Sequence, residues 1–86
     1  MIFGNKRSEI EILAQMLNSA KNKVKKTNLL YSTNISYSNF IKYFNFLLEK
    51  EFIEEKDGNP SGKIYNITIK GEKFLDCINT LLKELK

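Results

Sequence analysis

Ser38, Asn39 and Lys42 lie close together in the stretch NISYSNFIKYF, Asn34 to Phe44. An Asn side chain can pair in bidentate fashion with adenine, and a Lys can reach guanine O6 and N7 or a phosphate. Ser38 and the neighbouring Tyr43 can donate to phosphate oxygens. Ser36 reads as a helix N-cap, and the free amides beside it could also meet a phosphate. If the stretch is helical, Ser38, Asn39 and Lys42 share one polar edge, with Tyr43 at its border. That set of groups could read base edges and backbone together. The same residue types also make ordinary solvated helix surface.

Further candidates flank this stretch. Lys25, Lys26 and Thr27 stand where a preceding helix would begin and touch a nucleic-acid backbone. Lys56 and Lys63 flank a loop, opposed by Asp57 and unaided by any Arg, so only light contact with phosphate or minor groove is expected there. The 86 residues carry a net charge of +4. Residues 1–43 hold seven Lys/Arg against two Glu, and residues 44–86 hold seven against eight acids. A one-sided basic run such as KNKVKK, Lys21 to Lys26, is an electrostatic footprint for nucleic acid. It is equally the kind of Lys-rich surface that solvation alone sustains.

Composition removes several other chemistries. The chain has no His and one Cys, Cys77. An internal disulfide framework is excluded and a zinc site is not expected. Histidine-dependent acid–base or triad chemistry is excluded as well. No nucleophile–base pair, carboxylate pair or phosphate-binding glycine loop is in place, so neither an enzyme nor a cofactor is expected. No apolar run approaches the roughly 20 residues needed to cross a bilayer. The start, MIFGNKRSEIEI, lacks the pattern of a signal peptide. The expectation is a cytoplasmic, nucleoid-associated protein, in which Asn34-Ile35-Ser36 and Asn66-Ile67-Thr68 are chance glycosylation triplets.

The elements that must position the candidates follow from periodicity. The hydrophobic fraction of 42% suits a folded chain, and the length bounds it to one domain, 1–86, with a modest core. Ser8-Glu9-Ile10-Glu11 resembles a capping box, opening a first helix from about Glu9 to Ala20. Ile10, Leu13, Leu17 and Ile12, Met16, Ala20 supply its apolar spacing. Lys21 and Lys23 suit the negative pole at its end. Thr27–Tyr31 is a short helical segment, and Ser32-Thr33-Asn34 a turn. Ser36 then caps a third helix reaching about Lys50, with Ile35 and Phe40 placed as a hydrophobic staple. Tyr37, Phe40, Ile41, Phe44, Leu47 and Leu48 form its apolar face. Tyr31 and Tyr37 read as core. Phe46 points off that face and should pack under the following hairpin or against the first helix.

Phe52–Lys56 is strand-like, Asp57–Gly62 is the densest turn signal, and Lys63–Ile69 alternates with Tyr65, Ile67 and Ile69 on one side. A last helix runs over about 69–85. Phe74, Ile78, Leu81, Leu82 and Leu85 read as core or as a dimer seam, because two adjacent apolar rows suggest that one is left for a partner. Cys77 reads as a small buried group at the edge of that stripe, with a cross-dimer disulfide as the alternative. The order, mostly helical α+β, is the plan of a winged helix-turn-helix: three helices, a two-stranded wing and a fourth helix.

The run KKTNLLYSTNISYSNFIKYFNFLLEKEFIEE, followed by YNITIKGEKFL, resembles the small archaeal winged-helix DNA-binding proteins. These include regulator-like members and the ten-kilodalton chromatin proteins of Sulfolobus relatives. The resemblance covers about Ser8 to Leu85. It implies double-stranded DNA binding, usually as a homodimer through the last helix. Two departures stand out. The last helix ends at Lys86, only about 25 Å long, which suits a compact two-helix contact rather than an extended coiled coil. Glu51 also stands where the family often has Gly. The expected function is therefore sequence-specific or general binding of double-stranded DNA by a small dimeric transcriptional regulator. The alternative is a winged-helix protein–protein module working through the last helix and Phe46. The basic cluster separates the two: on the face of the third helix, the candidate recognition helix, it favours DNA, and on the far side it favours the interaction module.

Overall fold

The computed structural model describes residues 4–58, 60 and 62–84, with side chains from residue 9 onward. Helix α1 (Gly4–Ser19) leads through a 3-10 turn (Ala20–Asn22) to α2 (Lys26–Thr33) and α3 (Tyr37–Glu49). Strands β1 (Ile53–Asp57) and β2 (Lys63–Ile67) follow, and then α4 (Ile69–Glu84). α1 is already under way at Gly4, so Ser8 sits inside it and not at its cap. The straight side chains of Lys6 and Arg7 cost a helix little, which carries it past the expected start. The Ser8 side chain itself lies outside the described residues. Ala14, Met16, Leu17 and Ala20 are buried, and α1 packs against both α2 and α4.

Ser36 caps α3 as expected, its hydroxyl accepting from the Asn39 amide at 3.3 Å. Phe40, Phe44 and Leu47 are the buried face of α3. The helix ends in a Schellman motif: Phe52 N donates to Leu47 O and Glu51 N to Leu48 O, with Glu51 at φ 60. A glycine would adopt that conformation at less cost. Here it is held by a glutamate.

β1 and β2 pair antiparallel, Ile53 opposite Ile67 and Glu55 opposite Tyr65. Val24 forms an additional single-residue antiparallel bridge to Tyr65, with both hydrogen bonds made (2.9 and 2.7 Å). The segment between the 3-10 turn and α2 is thereby stitched to the wing. Thr68 fastens the other end. Its hydroxyl donates to Glu51 O at 2.7 Å and accepts from Gly71 N at 2.9 Å, while its amide donates to Phe52 O. Gly71 presses so closely on the Phe52 carbonyl that a Cβ there would collide with backbone.

Several expectations are corrected. Tyr31 and Tyr37 are not core: they are 78% and 57% exposed. Tyr31 lies on the outer side of α2, whose inward positions are Leu29 and Thr33. Tyr37 lies at the edge of the α3 apolar face, where no element covers it fully. Ile69 does not continue the strand alternation. It opens α4 and is 74% exposed, because Thr68 caps the helix and turns the chain. On α4, Gly71, Leu75 and Ile78 face inward, so Ile78 is monomer core and not dimer seam. Leu82 is half-buried against that core, and Phe74 stacks on Phe52 at 4.2 Å between centroids. Cys77 is exposed, with a free thiol. It stands one helical row away from Leu75 and Ile78, beside the exposed Leu81. Leu85 lies outside the described residues. Phe46 packs against Phe52, the residue just before β1, and against Phe74 of α4.

Candidate nucleic-acid interface

The predicted site residues fall into three groups. The first gathers where α2 meets the start of α3. Lys25 is the exposed N-cap of α2, its carbonyl accepting from the Asn28 and Leu29 amides. Lys26 is half-buried and reaches across to α3. Its Nζ donates to Tyr37 Oη at 3.2 Å and lies over the rings of Tyr37 and Phe44, 5.5 and 5.0 Å from their centroids. Thr27, Ser36 and Ser38 are exposed, the two serine hydroxyls being 3.4 Å apart. The latter half of the basic cluster therefore lies beside the N-terminus of α3. Val24 anchors its middle to the wing.

The second group lies between α1 and α3. Asn39, Lys42 and Tyr43 line an open groove of about 650 Å³ with Phe46 and with Glu9, Ile10 and Leu13 of α1. Asn39 and Lys42 are exposed on its rim, and Tyr43 is half-buried. Burial, and next the charge of Glu9, raise the Tyr43 phenol above its ordinary pKa. Asn39, Lys42 and Tyr43 share one edge, but Ser38, expected on it, lies beside Ser36 at the start of α3 instead, and an acid from α1 shares the groove.

The third group is the wing. Lys63 Nζ lies 2.7 Å from Glu55 Oε2, and Tyr65 Oη donates to Glu55 Oε1 at 3.1 Å. The Lys63 and Tyr65 bonds, in that order, hold the Glu55 carboxyl below the usual carboxylate range. The same pair raises Lys63. Tyr65 is raised by burial first and by its bond to Glu55 second. Lys56 pairs more loosely with Glu54 at 3.6 Å. Both wing lysines are thus engaged by acids on β1.

Sequence reasoning missed Tyr37 as a surface group, although its place directly after the N-cap signalled it: the first residue of a helix has no preceding turn to cover it. Among the described residues no cluster of His, Cys, Asp and Glu could hold a metal, and no helix is long and apolar enough to cross a membrane.

Comparisons with known proteins bear on the fold that carries these groups. The solved structure of Sso10a-2, a DNA-binding protein from Sulfolobus solfataricus, is similar with a TM-score of 0.75 and 30% identity. The match covers 86% of this chain and 77% of that one. No curated protein matches. The family defined as winged helix-turn-helix matches residues 6–86. With α2 and α3 forming the helix-turn-helix, β1 and β2 the wing, and a relative that shares both sequence and fold, the chain belongs to the winged helix-turn-helix family.

Proposed function

We propose that this chain, acting as a single domain, binds double-stranded DNA through α2 and α3, as a small dimeric transcriptional regulator. One observation carries the reading: residues 12–48 contain no Asp or Glu but five Lys, and this acid-free span includes all of α2 and nearly all of α3. Proteins gain phosphate affinity by neutralising backbone charge and releasing counter-ions, and α2 and nearly all of α3 add no like charge to that surface, although Glu9 of α1 borders it. Lys25, Lys26, Thr27, Ser36 and Ser38 act on the backbone. Asn39 and Lys42 supply base contacts from the groove edge, with Tyr43 behind them. Lys56 and Lys63 contribute little while β1 holds them.

The dimer forms through the outer row of α4. Leu81 is 42% exposed there and shares a shallow trough with Cys77, Thr80, Asp76 and Glu84. Phe74 borders this row, and Leu82 lies on its inner side. The rival reading, a protein–protein module without DNA, rests on the same exposed row.

A salt-titrated fluorescence-anisotropy curve on mixed genomic duplexes, with mass from light scattering, tests both parts. Log affinity falling linearly with log salt, from a species of twice the chain mass, is the expected result. No binding at low salt rejects the DNA reading, and a monomer mass rejects the dimer.

A further inference from the structure

We propose that Lys26 and Tyr37 form one prearranged donor pair that contacts a DNA phosphate, with Tyr37 as the contacting hydroxyl and Lys26 as both contact and holder. This rests on the DNA reading above and adds to it a residue that its sequence pattern hides.

The Lys26 ammonium has three N–H donors and no acceptor. One is spent on Tyr37 Oη at 3.2 Å. Its charge is steadied beside the Phe44 ring, 5.0 Å from the centroid, and Phe44 is itself fixed in the core, edge-on to Tyr65 at 5.0 Å. The lysine is therefore ordered before any ligand arrives, and the entropy of immobilising it is not charged to binding. The Tyr37 hydroxyl accepts from a cation, so its own proton remains to be donated outward. Accepting from a charged donor also strengthens that outward bond. Tyr37 is 57% exposed and is the first residue of α3, directly after the Ser36 cap.

The pair thus presents donors only, with a positive charge behind them. The matching ligand is an acceptor-only anion. On a surface reading duplex DNA, that is the non-bridging oxygen of a phosphodiester. The pair also spans α2 and α3, so one phosphate would fix the angle between the helix-turn-helix and the duplex.

The test uses Tyr37→Phe, Lys26→Met and the double variant of the full chain in salt-titrated anisotropy, with circular-dichroism melts alongside. Tyr37→Phe is expected to bind about tenfold more weakly, the low end for a hydrogen bond to a charged group. Its salt slope should be unchanged, because a neutral donor releases no counter-ion. Lys26→Met should weaken binding and lower the slope by about 0.9. The double variant should lose less than the product of the two, since each acts through the other. The melt of Tyr37→Phe should match the parent. A parent chain that binds while Tyr37→Phe binds equally well overturns the pair alone. Independent, multiplicative losses also overturn it. A parent chain that binds no duplex overturns the DNA reading and the pair with it.

Discussion

Two lysine–tyrosine pairs stand at opposite ends of one aromatic row. The row runs Tyr37, Phe40, Phe44, Tyr65, with successive centroids 6.3, 5.4 and 5.0 Å apart. At one end Lys26 donates to Tyr37. At the other, Lys63 and Tyr65 both bind Glu55. Residue types and scaffold are nearly the same, and one carboxylate makes the difference. It accepts the donors of the wing pair before a phosphate can, whereas the helical pair keeps donors to offer. Counting lysines therefore misjudges this surface. To bind a phosphate, Lys63 must first give up an ion pair, and an exposed pair exchanged for another exposed contact gains little.

The wing pair keeps its place only while the wing is fixed to the helices. In Gly71→Ala the new Cβ would collide with the Phe52 carbonyl, which is backbone and cannot swing aside. Forced overpacking of this kind costs about 3 kcal/mol. Thermal denaturation should show a Tm lower by more than about 10 °C. A Tm within two or three degrees of the parent would mean that the wing and α4 can part freely, and that the wing pair is not held as described.

Thr68→Val loosens the same joint more gently. It removes a helix cap, about 1 kcal/mol, and the hydroxyl bond to Glu51 O, about another. A loss near 2 kcal/mol in urea unfolding is expected, with DNA affinity at low temperature unchanged. A fall in affinity without a fall in stability would assign Thr68 to the binding face and redraw the comparison.

Lysine substitutions then compare the two regions directly. Lys42→Ala should weaken DNA binding about tenfold and lower the salt slope by about 0.9. Lys63→Ala should change neither measurably. Equal losses would mean that Glu55 releases Lys63 on binding, and the distinction between the pairs would disappear.

Much of this frame was readable from sequence. The Ser36 cap, the Phe40, Phe44 and Leu47 face and the turn at Asp57–Gly62 are local signals, each set by a few adjacent residues. What escaped was set by partners distant in sequence. Tyr37 fits the apolar face of α3 by angle alone, and only the place of Lys26 on α2 shows that it is a rim group. Val24 looks like an interruption in a lysine run, and its meaning is a hydrogen-bonded bridge to Tyr65. The Glu55–Lys63 pair depends on strand register, which the loop length fixes and the composition does not. Ile69 extends a strand pattern by one step, but the cap at Thr68 overrules it. Ile78 and Leu82 were separable from Leu81 only once the side of α4 facing α1 was known.

A single substitution at Glu55 should make the wing pair behave like the helical one. Glu55→Gln keeps the shape of the wing but removes the charge that occupies Lys63. DNA affinity at neutral pH should rise about threefold, and the salt slope should steepen by up to 0.9 as one more phosphate contact becomes available. The pH dependence follows from the sign of the shift. Glu55 is held below the usual carboxylate range, so its pairing stabilises the fold at neutral pH and is lost only as pH falls through that lowered value. Lys63 is raised, so its side of the pairing is present at neutral pH and lost only as pH climbs through the raised value. Between those limits the parent keeps the wing lysine closed, and the advantage of Glu55→Gln in affinity should be flat. Toward acid pH, as the parent's own Glu55 takes up a proton, the two binding curves should converge. An advantage that already shrinks between pH 7 and pH 6 would place the controlling proton on some group other than Glu55.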